Sequence, residues 1–132
     1  RIFQAYSPMI DALTRTPMPY DIRNTPCQTY VARQYGEAWD RPFVAVYQPY
    51  ATGDVKSVAS VEYFGEGYVG IKVTLSDGSV NYIFSSDRDM KMSYDGIETD
   101  ARLCFVSEGR KFISRGTYLK INGKKIIKQK KQ

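Results

Sequence analysis

At 132 residues, with 42% apolar, 25% charged and 14% aromatic residues, the chain is long enough for one globular domain with an ordinary core. A chain of this size buries roughly two thirds of its surface on folding, so it needs no disulfide framework or metal staple. The net charge of +5 sits at one end, because Lys120, Lys124, Lys125, Lys128, Lys130 and Lys131 share residues 120–132 with no acid. Leaving out those six takes the nineteen basic residues to thirteen, against fourteen acids, a net of −1. A near-neutral body with a basic end argues against a nucleic-acid footprint, which needs a basic stripe across the fold. No apolar run reaches membrane-spanning length, so the composition points to neither nucleic acid nor membrane as partner.

In chain order, residues 1–28 read as an irregular connecting segment punctuated by Pro8, Pro17, Pro19 and Pro26. Ser7-Pro8 suits a helix cap and first helical position, which predicts one short helical turn through Leu13. From Thr29 the period is two, and residues 29–128 read as an antiparallel β-sandwich, a meander of roughly nine short strands. The fold class is therefore all-β. Pro42 to Gln48 has apolar residues on both faces, as a central strand does, and Ala101 to Val106 reads similarly. Val55 to Phe64 changes phase between Val58 and Val61, which predicts a bulge.

The sharpest expectation is a hairpin on Asp77-Gly78. A two-residue type I′ loop there pairs Leu75 with Val80, Val73 with Tyr82 and Ile71 with Phe84, all on one face, with Thr74 and Asn81 on the other. Asp95-Gly96, Glu108-Gly109 and Asn122-Gly123 repeat the turn signal, and the last sets Leu119 against Ile126. Residues 129–132 read as a solvated basic tail, dispensable for the fold.

The chain has no His, which removes the commonest general base, the commonest metal ligand and every Ser/His or Cys/His nucleophile arrangement. Asp87, Asp89, Asp95, Glu98 and Asp100 are the densest acids, but the glycine and closing Glu of a calcium loop are not at the required spacing. No metal, cofactor or catalytic residue is assigned. Cys27 reads as a loop thiol and Cys104 as a small hydrophobe in a strand, with a bridge between them left open. The sole Trp, Trp39, lies in a polar stretch near Arg33, Tyr35, Arg41, Tyr47 and Tyr50. Together these six form a candidate carbohydrate platform, aromatic faces for a sugar ring edged by guanidinium groups for its carboxylate. The bland alternative is a loop Trp folded over the end of a sheet.

A resemblance enters at this stretch. Tyr20-Asp21-Ile22-Arg23-Asn24, Arg33-Gln34-Tyr35-Gly36-Glu37-Ala38-Trp39 and the run from Arg41 to Tyr50 resemble the late β-domain of heparinase II/III-like polysaccharide lyases. Val69-Gly70-Ile71-Lys72-Val73-Thr74 and Tyr82-Ile83-Phe84-Ser85-Ser86 extend the likeness, which covers about residues 20–86. The resemblance implies a secreted or periplasmic bacterial parent with an α/α toroid followed by β-sandwich domains, cleaving uronate glycans such as glycosaminoglycans by β-elimination. None of the family's Tyr, His, Asn or Arg catalytic residues maps onto this chain. The implied role is that of a non-catalytic accessory domain, packed against the upstream catalytic domain of the same polypeptide and near its acidic polysaccharide. The chain opens at Arg1 as if cut from a longer protein, and its first residues do not read as a signal peptide. The competing expectations are an autonomous carbohydrate-binding module and a protein-interaction module with a basic tail.

Overall fold

A computed structural model of the chain describes residues 2–6, 10–17, 26–32, 43–49 and 57–130. Every regular element in them is a β-strand, and every pairing is antiparallel. The first four strands are β1 (Ile2–Tyr6), β2 (Ile10–Pro17), β3 (Pro26–Ala32) and β4 (Val44–Tyr47). Then come β5 (Val58–Phe64), β6 (Val69–Leu75), β7 (Val80–Ser85), β8 (Met92–Tyr94) and β9 (Ile97–Thr99). The last are β10 (Leu103–Val106), β11 (Lys111–Ser114), β12 (Tyr118–Ile121) and β13 (Lys124–Lys128).

Two units separate. Residues 7–43 hold the hairpin β2–β3, in which Pro17 lies opposite Pro26. The irregular run expected over residues 1–28 is thus corrected: it contains β1, β2 and the start of β3, and Ile10–Pro17 is extended where a helical turn was expected. Pro17 and Pro26 close the strands rather than interrupt them, since the missing N–H of proline costs little at a strand end.

The other unit contains residues 1–6 and 44–132. Here β1 pairs with β4, a five-stranded sheet has the order β11-β10-β7-β6-β5, and a four-stranded sheet has the order β13-β12-β9-β8. The chain alternates between the two larger sheets: β5–β7, then β8–β9 in the other, then β10–β11 back in the first, then β12–β13. The two pack as a sandwich. Leu119, Thr99 and Met92 form one cross-strand row on the inner face of the four-stranded sheet, all nearly inaccessible. On the five-stranded sheet the facing row is Phe64, Gly70, Phe84, Cys104 and Ile113. Phe64 joins the layers: its ring stacks on Tyr94 at 3.8 Å and meets Phe84 edge-on at 5.1 Å. Gly70 makes room for that ring, because a Cβ there would lie 2.7 Å from Phe64 Cζ and closer still to Cδ2 and Cε2.

The turns divide into two kinds. Asp95-Gly96 and Asn122-Gly123 have positive φ at both residues, 49° and 75°, 51° and 76°, the signature of type I′ loops. Asp77-Gly78 does not: only Gly78 is positive, and the Leu75 carbonyl accepts from Gly78 N–H while Leu75 N–H donates to Ser79. The loop is therefore Ser76-Asp77-Gly78, a tight turn followed by a glycine bulge, with the Asp77 carboxylate accepting from Ser79 N–H at 2.9 Å and its hydroxyl at 2.7 Å. The extra loop residue shifts the expected register by one, to Thr74 with Val80, Val73 with Asn81, Ile71 with Ile83 and Gly70 with Phe84. Val73 and Ile71 consequently lie on the face opposite Tyr82 and Phe84.

Other expectations fare variously. The bulge in β5 falls between Val58 and Ser60, within the predicted stretch. Leu119 faces Ile127 rather than Ile126, because a bulge follows it, and Ile126 is turned outward. β4 is not central: among the described residues it pairs with β1 alone, and Ala45 and Tyr47 are exposed. Cys104 is a buried free thiol, and Cys27 sits in β3 rather than in a loop.

Candidate functional site

Of the six residues expected to form a sugar platform, Arg33, Tyr35, Trp39, Arg41 and Tyr50 lie outside the described residues. Tyr47 is on β4 and 72% exposed, so its ring is available to a ligand. Asp89, Asp95 and Asp100 of the acidic cluster each go to a separate task. Asp89 pairs with Arg102 at 2.9 Å. Asp95 accepts from the Tyr82 hydroxyl across the two sheets. Asp100 accepts from the backbone N–H groups of Thr117 and Tyr118 at 2.7 and 3.0 Å, and from the Thr117 hydroxyl at 2.5 Å. Among the described residues, no group of His, Cys, Asp and Glu is placed to hold a metal ion.

The side chains that do converge lie on the outer face of the four-stranded sheet. Because Leu119, Thr99 and Met92 point inward, their neighbours point out. One row, Ser93, Glu98, Lys120 and Lys125, crosses all four strands, and beside it Tyr118 faces Lys128. Lys120 Nζ lies 2.9 Å from Glu98 Oε1 and 5.1 Å from the centre of the Tyr118 ring, while Lys125 Nζ approaches the same ring at 6.0 Å. Two ammonium groups thus share one aromatic ring. The Lys120 hydrogen bond, helped by Tyr118, holds the Glu98 carboxyl below its ordinary value, so it stays ionised. At the turn end of the row a shallow depression of about 340 Å³ is lined by Ser93, Asp95, Gly96, Glu98, Lys120 and Gly123.

Tyr118 on this face and Tyr82, whose hydroxyl reaches Asp95 from the other sheet, both stay protonated at neutral pH and so offer no base. Burial first, then the neighbouring Glu98, pushes Tyr118 up to about 12. Burial and the Asp95 hydrogen bond do the same to Tyr82. A general base works best with a pKa near the working pH. The arrangement is suited to holding a polar, negatively charged ligand rather than to moving its protons.

Sequence reading counted these lysines only as part of the basic end of the chain, residues 120–132. The usable signal was the Asn122-Gly123 turn, which sets Lys120 directly across from Lys125 and gives both the outward phase opposite Leu119. No family model, no curated protein and no solved structure matches the chain.

Proposed function

We propose that the chain is a non-catalytic accessory β-sandwich domain of a heparinase II/III-like polysaccharide lyase acting on uronate-containing glycans in the periplasm or outside the cell. In this reading it packs against the upstream catalytic domain of the same polypeptide and helps wall the cleft for the acidic polysaccharide. One observation carries the accessory role. On the five-stranded sheet, Phe112, Phe105, Ile83, Ile71 and Tyr63 form a single cross-strand row on the face turned away from the core. Phe112 is 45% exposed and Leu103, on the same face, 41%. A sheet that is apolar on both faces suits a middle layer, since an outer sheet ordinarily turns a polar face to water. The family resemblance and the lack of His supply the rest of the support.

The test has two arms. Purified chain incubated with uronate glycans should give no rise in absorbance from unsaturated uronate, and a steady, protein-dependent rise refutes the non-catalytic role. A dye that brightens on apolar surface should bind the chain and bind Phe105→Ser/Phe112→Ser less, with the far-UV spectrum unchanged. Equal, weak signals from both would mean that the row is covered by the chain's own residues, and the accessory role would lose its support. The autonomous carbohydrate-binding module remains the second reading, favoured by the lysines around Tyr118.

A further inference from the structure

We infer that the outer face of the four-stranded sheet is a docking strip for an anionic polysaccharide, with Lys120, Lys125 and Lys128 around Tyr118 taking its acidic groups and the adjoining depression taking a neighbouring sugar ring. The substrate class rests on the function proposed above. The surface itself is argued from its geometry.

Lys120 and Lys125 stand directly opposite each other on paired strands, an arrangement that repels unless something neutralises it. Glu98 neutralises one of them, at 2.9 Å from Lys120 Nζ. Lys125 and Lys128 are exposed, and the structure describes no carboxylate on either. Lysines on an edge strand also guard a sheet against pairing with another chain, and β13 is an edge. That duty does not explain Lys120, which sits on β12 between β9 and β13. Since the chain without its last thirteen residues is near neutral, the positive field is local to this sheet and concentrates a polyanion there.

The depression selects between polyanions. Ser93, Asp95 and Glu98 line it beside Lys120. Carboxylates repel phosphate but accept hydrogen bonds from sugar hydroxyls. The Tyr118 ring carries ammonium groups at 5.1 and 6.0 Å, so it is not an open face for base stacking. A glycan that alternates acidic groups with free hydroxyls fits both halves of the strip; a nucleic acid fits only the lysines.

The experiment is affinity electrophoresis and calorimetry of the whole chain with polygalacturonate, heparin, neutral dextran and a thymidine oligonucleotide. Polygalacturonate and heparin should bind, and dextran should not. Lys120→Gln/Lys125→Gln/Lys128→Gln should weaken binding by about tenfold or more and reduce the slope of log affinity against log salt by about two to three. Arg88→Gln/Arg110→Gln/Lys111→Gln, on exposed sites elsewhere, should change neither. Ser93→Trp, which fills the depression, should weaken polygalacturonate binding and spare whatever the oligonucleotide shows. Oligonucleotide binding as tight as that of the glycans, and equally sensitive to the lysine variant, would overturn the proposal in favour of a nucleic-acid surface. Lysine variants that aggregate yet bind glycan normally would overturn it in favour of edge protection alone. Glycan binding lost only in the arginine-containing control would move the site elsewhere and leave the proposed function standing. Eliminative activity, in contrast, would refute that function without touching the strip.

Discussion

Gly70→Ala tests the way the two layers meet. The added methyl would lie 2.7 Å from Phe64 Cζ and nearer to two other ring carbons, so the ring must move by about 1 Å to reach ordinary contact. It has little room, since Phe64 is 7% exposed and stands between Tyr94 at 3.8 Å and Phe84 at 5.1 Å. Overpacking of this kind costs about 1–3 kcal/mol. Replacing glycine within a strand returns about 0.5–1 kcal/mol. The net expectation is a loss of about 1–2 kcal/mol, or roughly 4–8 °C in Tm. Urea denaturation supplies the number, and a second variant supplies the cause. Phe64→Leu alone leaves space over Gly70, whereas in Gly70→Ala/Phe64→Leu the methyl occupies part of it. The double variant should therefore be more stable than the sum of the single effects predicts, by about 1 kcal/mol. Additive effects, or a neutral Gly70→Ala, would mean that the Phe64 ring does not cross β6 at this point.

Asp100→Ala should cost about 1–2 kcal/mol at neutral pH, through the loss of three hydrogen bonds from Thr117 and Tyr118 at a partly exposed site. Burial raises the Asp100 carboxyl and these bonds outweigh it, leaving it below 3.8. Its contribution is thus complete above that value and is lost as pH falls through the folded pKa, so the variant's acid-unfolding curve should be flatter below about pH 4. In Cys27→Ser, Cys104 should react with a thiol reagent only as fast as the protein opens, because burial pushes the thiol up to about 12 despite the Thr99 hydrogen bond. Fast labelling without denaturant would contradict that burial. Truncation after Gln129 should leave Tm unchanged, whereas truncation after Lys128 should cost about 1–2 kcal/mol, because Gln129 donates to the Thr117 and Gly116 carbonyls at 2.9 and 3.1 Å. Equal melting of the two truncations would refute this anchoring.

Fold class was legible because alternation and turn chemistry agreed over most of the chain. At Asp95-Gly96 and Asn122-Gly123 both residues take the left-handed conformation that the dipeptide suggests. Asp77-Gly78 misled because the same dipeptide also serves a three-residue loop, and the Asp77 bonds to Ser79 favour that alternative. Alternation did not correct the error. β6 alternates Val69, Ile71, Val73 and Leu75 with Gly70, Lys72 and Thr74, and β7 alternates Val80, Tyr82 and Phe84 with Asn81, Ile83 and Ser85, so matching apolar to apolar favours the false register. In the true one the apolar set of β6 shares its face with Asn81, Ile83 and Ser85, while Lys72 pairs with Tyr82. The N-terminal prolines carried the opposite error, being counted as breaks without regard to where in a strand they fall. The site was missed for a third reason: Lys120 and Lys125 are five residues apart and belong to a run of like charge, and only the hairpin makes them neighbours.

The alternation of the chain between its two larger sheets has a consequence for how the molecule comes apart. β7 meets β10 only after the hairpin β8–β9 has been laid in the other layer, and β9 meets β12 only after β10–β11 has been laid in the first. Neither layer is a contiguous stretch of chain, so neither can melt while its partner stays whole. The unit should unfold in one transition, with coincident spectroscopic and calorimetric curves. A cut at the exposed Glu108–Gly109 link leaves pieces 1–108 and 109–132, each holding strands of both layers. Neither piece completes either of the two larger sheets, and the sandwich should return only when the two are mixed.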